Sequence, residues 1–532
     1  MALPRPTRIG STSLRELTRL LGAVRVTGTG DPAVTGVSLD SRTVRPGDLY
    51  AALPGEHTHG ARFAREALAA GAVAVLTDPA GAQLLETSAV PVLVTEDPRA
   101  HVGVLASRVY RTDQDAITLI GITGTNGKTT TAHLIESALS ALGHTAGLIG
   151  TVETRIGAQV LPSTRTTPES TDLHALIAVM TETGVETCVM EVSSHALALH
   201  RVDGLVYDLA LFTNLSQDHL DFHRDMEDYF AAKASLFTPD RARRGLVCVD
   251  DEWGRRLAET SGIPVSTLTT TDRSADWQVD LDPDATGAVS AFRLTGPDGV
   301  NLRLRSALPG DFNIVNTAMA VAALVESGVP AAQAGSAVLS HPHVPGRMEL
   351  VQIDDSSGLL PRVVVDYAHT PDAIRAALHA LRPTTPGRLV CVTGAGGDRD
   401  PGKRPIMGAA AAAAADVVVV TDDNPRSEDP GIIRDAVLRG ALAARPAGRD
   451  VTVVEVAGRD AAIRVAVEAA LGLPPFETTV GVGPAATVAV VGKGHESGQE
   501  VDGQVLPFDD RTECEAALRA GLQRLRKIRS GP

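Results

Sequence analysis

One segment limits the possible folds of this chain more than any other: residues 121–130, which read GITGTNGKTT. The apolar run 116–123 before it predicts a strand, and the amphipathic run 129–142 after it predicts a helix that ends at Gly143. A glycine-rich turn from a strand into a helix presents backbone N–H groups at the positive end of the helix, where phosphate binds. The segment therefore predicts a nucleotide phosphate loop at the edge of a parallel α/β sheet.

Two side chains of this loop are suited to nucleotide chemistry. Lys128 is placed to reach the β- and γ-phosphates, and the Thr129 hydroxyl is placed to ligate Mg²⁺. The strict pattern G-x-x-x-x-G-K-[ST] is not met, because Ile122 occupies the position of its first glycine and Gly121 lies one residue earlier. The alternative is a tight structural turn without a ligand, but the flanking strand and helix favour nucleotide binding.

Breaks in the sequence pattern divide the chain into three α/β domains. A polar break near 112–115 precedes the strand of the loop, and a turn-rich segment, 341–346, follows the central region. Strands alternate with helices between and beyond these breaks, which predicts parallel sheets covered on both faces. We therefore predict domains at 1–113, 114–343 and 344–532, with a hinge at 341–346.

The composition excludes several classes of protein. A chain of 532 residues is too long for one ordinary domain. Its net charge of -15 makes it a poor general binder of nucleic acid or of anionic membranes. It contains no apolar run long enough for a membrane span, and its first residues lack a signal-peptide apolar stretch. We therefore expect a cytoplasmic protein without a nucleic-acid partner, and we expect a monomer.

Lysine is rare in this chain. Of 49 basic residues only five are lysines, at positions 128, 233, 403, 493 and 527. A bias toward arginine replaces surface lysines easily, so a lysine that persists marks a position where a compact amine is useful. Lys527 lies in a basic tail and is expected to be dispensable, and the role of Lys403 stays open.

The loop sequence GTNGKTT, 124–130, resembles the ATP loop of the Mur ligase family, which also includes folylpolyglutamate synthetase. The three predicted domains agree with this resemblance, whose motifs cover essentially the whole chain. It implies an α/β protein of three-domain Mur ligase architecture: a first domain that binds a uridine nucleotide, a central P-loop parallel-sheet ATPase domain, and a C-terminal Rossmann-like domain that binds an amino acid.

The resemblance also implies catalytic roles for Lys128 and three other residues. Glu191, at the end of the strand-like run 187–192, is expected to hold Mg²⁺ with Thr129, although a carboxylate there could also cap the next turn. His219 matches a histidine ligand of a second magnesium, where a lone histidine would otherwise be structural. Lys233 matches a lysine that CO₂ converts to a carbamate (N6-carboxylysine), which helps to position Mg²⁺. A solvated helix lysine is the alternative.

The same resemblance places the substrates, and it is strongest to members that add diaminopimelate to UDP-MurNAc-L-Ala-D-Glu. It implies ATP contacts at Gly124, Thr125, Asn126, Gly127, Lys128, Thr129, Thr130, Asn313, Asn316 and Arg347. It implies contacts to the UDP-linked substrate at Leu39, Ser41, Glu56, His57, Thr58, Thr166, Thr167, Ser193 and Arg201. It implies diaminopimelate contacts at Arg399, Asp423, Asn424, Pro425, Arg426, Gly492 and Glu496.

Arg426 is the residue that we expect to select the amino acid. Diaminopimelate has a distal carboxylate that lysine lacks, and a guanidinium binds a carboxylate bidentately. In the family the sequence Asp-Asn-Pro-Arg, here 423–426, marks the diaminopimelate-adding members. The alternative is a surface salt bridge from Arg426 to Glu428 or Asp429. Both meso- and LL-diaminopimelate fit this reasoning, because both present a distal carboxylate.

Other functions compete with this interpretation. The segments 39–42 and 423–426 argue against folylpolyglutamate synthetase and against the D-Ala-D-Ala-adding ligase of the family. A P-loop switch or motor ATPase, which would form no amide bond, is the rival from a different class. The segment 471–487 has no assignable role.

Overall fold

The computed structural model describes residues 3–22, 24–55, 57–85, 88–114, 116–281, 290–306, 308–340, 344–445, 449–476 and 480–529. Its first sheet has the strand order β2-β7-β6-β5-β4, in which β4 to β7 are parallel and β2 is an antiparallel edge. The strands of the first domain, of which β1 and β3 pair only with each other, are β1 Thr12–Ser13, β2 Arg25–Thr27, β3 Ala33–Val34, β4 Gly36–Ser38, β5 Asp48–Ala51, β6 Ala74–Thr77 and β7 Val92–Val94. The helices are α1 Leu14–Leu20, α2 Ala64–Ala69, α3 Pro79–Gln83 and α4 Arg99–Tyr110.

The second sheet contains the predicted phosphate-loop strand, β8, near its middle. Its order is β11-β10-β9-β12-β8-β13-β14-β15-β16-β17-β18. The strands are β8 Thr118–Thr123, β9 Ala146–Ile149, β10 Glu153–Ile156, β11 Gln159–Pro162, β12 Thr187–Glu191, β13 Leu209–Phe212, β14 Gly245–Cys248, β15 Val265–Thr269, β16 Trp277–Leu281, β17 Ser290–Thr295 and β18 Asn301–Ser306. The helices are α5 Lys128–Ala141, α6 Ser170–Glu182, α7 Ser194–Ala198, α8 Met226–Ala234, α9 Glu252–Thr260, α10 Asp311–Glu326 and α11 Ala331–Ser340.

The third sheet has the order β19-β20-β24-β21-β22-β23 and is parallel except for β19. A separate hairpin, β25–β26, lies beside it. The strands are β19 Glu349–Val351, β20 Arg362–Asp366, β21 Leu389–Thr393, β22 Val417–Val420, β23 Thr452–Glu455, β24 Thr487–Val491, β25 Gly498–Val501 and β26 Gln504–Pro507. The helices are α12 Pro371–Leu381, α13 Lys403–Ala414, α14 Pro430–Ala443, α15 Arg459–Leu471 and α16 Asp510–Arg529.

The central sheet is only partly parallel. Strands β9, β12, β8, β13, β14, β15 and β16 run parallel, as predicted, but the hairpins β10–β11 and β17–β18 extend the two edges in antiparallel fashion. Alternate residues of the buried strands face opposite sides: Ile120 and Ile122 pack into one apolar cluster and Leu119 into the other. The sheet is therefore covered on both faces, as expected for parallel strands.

The early glycine of the loop motif has a packing role. Gly121 lies within β8, and a Cβ atom there would come 2.7 Å from the ring of Tyr207. Ile122, which occupies the usual glycine position, is a fully buried strand residue. The two positions that differ from the strict pattern therefore lie in strand β8, and the turn that faces the phosphate site begins at Gly124.

The predicted hinge lies partly outside the described residues, because 341–343 are not described. Its remaining part is held against the third domain: Gly346 has φ +65°, and a Cβ there would lie 2.1 Å from the backbone nitrogen of His495. Among the residues that the structure describes, no helix is long and apolar enough to cross a membrane.

A buried histidine near the junction of the first and central domains gives a testable pH dependence. His174 Nδ1 lies 2.5 Å from the Thr112 hydroxyl and its Nε2 lies 3.0 Å from the Asp203 carbonyl. Burial lowers the pKa of His174 from 6.5 to about 4. The unfolded chain therefore takes up a proton below pH 6.5 that the folded chain takes up only below about 4.

The free energy of unfolding should fall as the pH falls through this window, and part of that fall should disappear in His174→Gln, which cannot titrate. Urea unfolding of both proteins at a series of pH values measures the difference. Equal pH slopes for the two proteins would show that His174 titrates normally.

Candidate active site

The turn at 124–127 needs glycine at both ends. Gly124 has φ +144° and Gly127 has φ +90°, and Cβ atoms there would lie 2.0 Å from Thr213 Oγ1 and 2.4 Å from Asn316 Oδ1. Gly127 is also the N-cap of α5. The loop is fixed to the end of β13, because Asn126 donates its N–H to the Asn214 side chain at 3.0 Å. The start of α5 is thereby presented as a phosphate site.

Lys128 and Thr129 are held by short contacts at the start of α5. The Lys128 Nζ donates to the carbonyls of Gly124 at 2.9 Å and Thr125 at 3.0 Å. Burial lowers the pKa of Lys128. The Thr129 hydroxyl lies 2.9 Å from a carboxylate oxygen of Glu191 and 2.9 Å from a guanidinium nitrogen of Arg347. Arg347 therefore connects the third domain directly to the phosphate loop.

Glu191 faces the loop and does not cap the turn that follows it. Its carboxylate is 1% exposed and accepts hydrogen bonds from Thr129 and from the backbone N–H and hydroxyl of Thr151, the last two at 2.8 and 3.0 Å. The next helix, α7, is capped by Ser193, whose hydroxyl accepts from the Ala196 N–H. The capping alternative for Glu191 is therefore wrong, and its position suits a magnesium ligand.

Lys233 is a buried residue, so the alternative of a solvated helix lysine is wrong. It is 1% exposed, and its Nζ donates to the Gly124 carbonyl at 2.8 Å, the same oxygen that Lys128 contacts. Burial and then the charge of Lys128 lower the pKa of Lys233 well below its usual value. A neutral amine is the form that reacts with CO₂, so the site favours the chemistry predicted for this residue.

His219 lies beside Asp218, with its Nε2 3.5 Å from that carboxylate. Burial, against the opposing charge of Asp218, lowers the pKa of His219 from 6.5 to about 3, which favours the neutral imidazole. Its ring contacts the ring of His195, with centroids 4.8 Å apart. A neutral imidazole has a lone pair available for a metal ion.

The donor atoms in this region suit Mg²⁺ better than a metal held wholly by protein. Within the described ranges, no group of three or more His, Cys, Asp or Glu side chains could hold a metal by itself. Glu191, the Thr129 hydroxyl and His219 supply few ligands, and mostly oxygen. Mg²⁺ usually completes its shell with water and substrate phosphates, so these residues fit a magnesium–nucleotide complex.

A cleft of about 450 Å³ separates the phosphate loop from the third domain. Its walls include Asn126, Gly127, Thr130, Asn313, Asn316 and Arg347, which were predicted to contact ATP. The third-domain side is formed by residues 366–369, which follow β20. The Arg347 guanidinium stacks on the ring of Tyr367, 4.6 Å from its centroid. The cleft is large enough for a nucleoside and opens directly beside the phosphate loop.

A smaller cavity of about 180 Å³ lies at the carboxyl ends of the third-domain strands. It brings together six of the seven residues predicted to bind diaminopimelate: Arg399, Asp423, Asn424, Arg426, Gly492 and Glu496. Pro425 is not among its lining residues. Lys403, whose role the sequence left open, lines the cavity, and Asp218 and His219 line its other side. The cavity thus joins the third domain to His219 of the central domain.

Arg426 is aimed into this cavity by its neighbours. It has φ +53°, its Nη1 donates to the Gly397 carbonyl at 2.6 Å, and its Nε donates to Glu500 at 3.1 Å. The alternative of a surface pair with Glu428 or Asp429 is wrong. Glu428 pairs with Arg404, and Asp429 caps α14.

A cavity of about 620 Å³ between the first and central domains contains part of the predicted UDP site. Leu39, Ser41 and Thr58 line it, His57 is exposed and is not among its lining residues, and Glu56 lies outside the described residues. The remaining predicted residues connect this cavity with Glu191. Their contacts are Thr166 with the Thr151 hydroxyl at 3.0 Å, Thr167 with the Glu191 carbonyl at 2.8 Å and with Ser193 at 3.4 Å, and Arg201 with Glu169 at 2.9 Å.

Sequence comparisons agree with this arrangement of sites. The profile described as "Mur ligase middle domain" matches residues 122–324, "Mur ligase, glutamate ligase domain" matches 346–494, and "Mur ligase family, catalytic domain" matches 33–110. The chain belongs to the Mur ligase family.

Similar members of the family carry closely related names. A protein of Streptomyces coelicolor named UDP-N-acetylmuramoyl-L-alanyl-D-glutamate–2,6-diaminopimelate ligase is 49% identical over 517 residues, 97% of this chain and 98% of that protein. One of the same name from Corynebacterium glutamicum is 47% identical, with 93% of each chain covered. A solved structure of a ligase of that name superposes with a TM-score of 0.64 at 30% identity, covering 96% of this chain and 99% of the other. A MurF structure from Acinetobacter baumannii, at 17% identity and TM-score 0.61, shares the fold.

The structure adds residues to this Mur ligase site that sequence reasoning missed. Glu169 lines the cavity that contains Leu39 and Ser41, Asp218 lines the amino-acid cavity, and Glu500 holds Arg426. Asp218 could have been found, since it precedes His219 in a motif already singled out. Glu500 carries no such signal, because it lies 74 residues after Arg426 in a polar hairpin.

Proposed function

We propose that this Mur ligase is an ATP-dependent enzyme that joins diaminopimelate to the D-glutamate side-chain carboxylate of UDP-MurNAc-L-Ala-D-Glu, a step of peptidoglycan precursor synthesis. One observation carries the proposal: the cavity that contains Arg426 also contains His219, whose ring lies 6.0 Å from the ring of Tyr229, and the Tyr229 hydroxyl lies 3.1 Å from Thr125 of the phosphate loop. An amino acid bound there would lie beside the phosphoryl-transfer site. The named activity of the similar ligases supports the same substrates.

The reaction needs an activated carboxylate, because a carboxylate anion repels an attacking amine. The terminal phosphoryl group of ATP moves to the D-glutamate side chain, which gives an acyl phosphate and ADP. The diaminopimelate amine then attacks the acyl carbon and loses a proton, and the tetrahedral intermediate expels phosphate and leaves an amide. The Lys128 ammonium and the loop N–H groups stabilise the charge that spreads over the transferring phosphoryl group.

The residues around the loop would hold Mg²⁺ with the nucleotide. The Thr129 hydroxyl and a Glu191 carboxylate oxygen lie 2.9 Å apart at the start of α5, and both His219 and Lys233 lie against the ring of Tyr229. Mg²⁺ bound there would supply charge neutralisation for the phosphate oxygens. Arg347, in contact with Thr129, brings a second cation from the third domain to the same place.

A carbamate on Lys233 belongs to this proposal. Two buried amines, Lys128 and Lys233, share the Gly124 carbonyl, so their charged forms repel each other. Addition of CO₂ to the neutral Lys233 amine, with release of a proton to solvent, would place a negative charge beside Lys128, which attracts it. The resulting carboxylate, with His219 nearby, would add an oxygen ligand for a magnesium ion.

The domain boundaries, the cytoplasmic location and the monomeric state also belong to this proposal. The proposed boundaries are 113/114 and 343/344, and each of the three large sheets lies within one of the resulting segments. A cytoplasmic monomer would meet each of its substrates through a separate domain.

The decisive test is an assay of amide formation by the intact chain. With ATP, Mg²⁺, UDP-MurNAc-L-Ala-D-Glu and diaminopimelate, phosphate release should accompany a gain in mass of the UDP-linked substrate that corresponds to one diaminopimelate less water. L-Lysine and D-Ala-D-Ala serve as control acceptors and should give little product. Phosphate release without any gain in mass would support a switch or motor ATPase instead.

A further inference from the structure

Lys493 is a buried lysine directly behind the amino-acid cavity. It follows β24 and Gly492, is 0% exposed, and is not itself among the residues that line the cavity. Its Nζ donates to Asn424 Oδ1 at 2.9 Å and to Glu496 Oε2 at 2.8 Å. Both acceptors line the cavity, so Lys493 contacts two residues of the proposed binding site from behind the cavity wall.

These contacts fix how Asn424 presents its amide group. Asn424 Oδ1 accepts from Lys493 and from the backbone N–H of Glu500, the latter at 3.0 Å. Its Nδ2 donates to Glu496 Oε2 at 2.8 Å. An ammonium can only donate, so the Asn424 oxygen must face Lys493 and its NH₂ group must face Glu496. Lys493 and the Glu500 N–H together therefore fix the orientation of the amide.

The same contacts prepare Glu496 to bind a cation. Its Oε2 accepts from both Lys493 and Asn424, while its Oε1 accepts no hydrogen bond from the described residues. The ion pair with Lys493, at 2.8 Å, holds one edge of the carboxylate in place. The other edge is left for the ammonium group of an amino acid.

Arginine is a poor substitute at this position. Arginine supplies nearly all the basic residues of this chain, yet one of its five lysines occurs here. A compact ammonium can donate to two acceptors that also contact each other, whereas a planar guanidinium is larger and directs its N–H groups in a fixed fork. The position is completely enclosed, which leaves no space for the longer group.

We propose that Lys493 is the positioning residue of the amino-acid site: it holds Asn424 and Glu496 in the orientation that receives the ammonium and carboxylate groups of diaminopimelate. This inference rests on the proposed function. Without the Lys493 ammonium, Asn424 Oδ1 keeps only the Glu500 N–H and Glu496 Oε2 keeps only the Asn424 amide, so both side chains are held less firmly. Affinity for the amino acid then falls, while the ATP and UDP sites are unaffected.

The test compares Lys493→Met, which preserves volume without charge, with Arg382→Met as a matched control. Arg382 is an ion-paired cation of the same domain, bound to Asp416 at 2.7 Å, and is not among the residues lining the amino-acid cavity. Lys493→Met should raise the KM for diaminopimelate ~10- to 100-fold, as expected for loss of charged hydrogen bonds. The KM values for ATP and for UDP-MurNAc-L-Ala-D-Glu should change less than about twofold, and Arg382→Met should leave all three near wild type.

Two further measurements keep the result decisive. If Lys493→Met does not give a cooperative thermal transition, Lys493→Gln, which retains one donor, replaces it with the same expected pattern. Combining Lys493→Met with Glu496→Gln should raise the KM for diaminopimelate less than the product of the single effects, because both variants disrupt one network. An unchanged KM for diaminopimelate, an equal rise in all three KM values, or independent effects in the double variant would overturn the inference. A wild-type chain that adds no diaminopimelate would instead overturn the proposed function.

Discussion

Replacing Lys233 with alanine or arginine should lower kcat by roughly a thousandfold, comparable to the loss of a group that stabilises transition-state charge. Lys233 is enclosed in α8, with its Nζ 2.8 Å from the Gly124 carbonyl and 4.7 Å from the Tyr229 ring centroid. Alanine removes the proposed carbamate. Arginine cannot form it and would also add a permanent charge beside Lys128.

The carbamate itself can be measured independently of activity. The intact wild-type protein, analysed at neutral pH, should carry an added mass of one CO₂ that is lost on acidification and is absent from both Lys233 variants. Depleting CO₂ should lower wild-type activity, and bicarbonate should restore it. Lys527→Ala, a change at an exposed lysine of α16, is the matched control and should behave as wild type. Full activity in Lys233→Ala, or indifference of the wild type to CO₂, would exclude the carbamate.

Strands buried on both faces could be predicted closely from sequence. The apolar runs 362–366, 389–393 and 487–491 predict strands from sequence alone, and the structure has strands with the same bounds. Each is a short apolar run rich in valine between helices, which is typical of the interior of a parallel sheet. The edge hairpins β10–β11 and β17–β18 were not anticipated. Their strands alternate polar and apolar residues and depend on pairing with a neighbour that local sequence does not specify.

The candidate site, like the fold, is predictable from sequence only in part. The sequence motifs predicted Arg426, Glu496 and the loop residues, because these side chains follow strands whose carboxyl ends meet at one edge. The contacts that orient them come from elsewhere in the chain, such as Glu500 in the hairpin β25–β26. The burial of Lys233 was equally hidden, since a polar residue within a short helix predicts exposure unless the opposite wall is known. Motifs therefore point to the groups that are proposed to bind substrates, whereas the contacts that orient those groups depend on tertiary packing.

Replacing Arg426 with alanine should lower kcat/KM for diaminopimelate by about a hundredfold, because a carboxylate in a protein cavity would lose its charged partner. The loss should fall on the amino acid alone, with KM values for ATP and the UDP-linked substrate within about twofold of wild type. The matched control is Arg439→Ala in α14. The Arg439 side chain is 70% exposed and pairs with Asp435, so its removal should have little effect.

L-Lysine as the acceptor separates recognition from general damage. Lysine has no distal carboxylate, so in the wild type it leaves the Arg426 guanidinium without its partner, whereas in Arg426→Ala nothing is left unpaired. The ratio of kcat/KM for diaminopimelate to that for lysine should therefore collapse in the variant, while lysine addition itself falls little or rises. Equal losses for both amino acids would mean that Arg426 supports the loop 423–426 through Gly397 and Glu500 and does not read the substrate. Unchanged kcat/KM for diaminopimelate in Arg426→Ala would show that Arg426 neither contacts the amino acid nor supports its binding site.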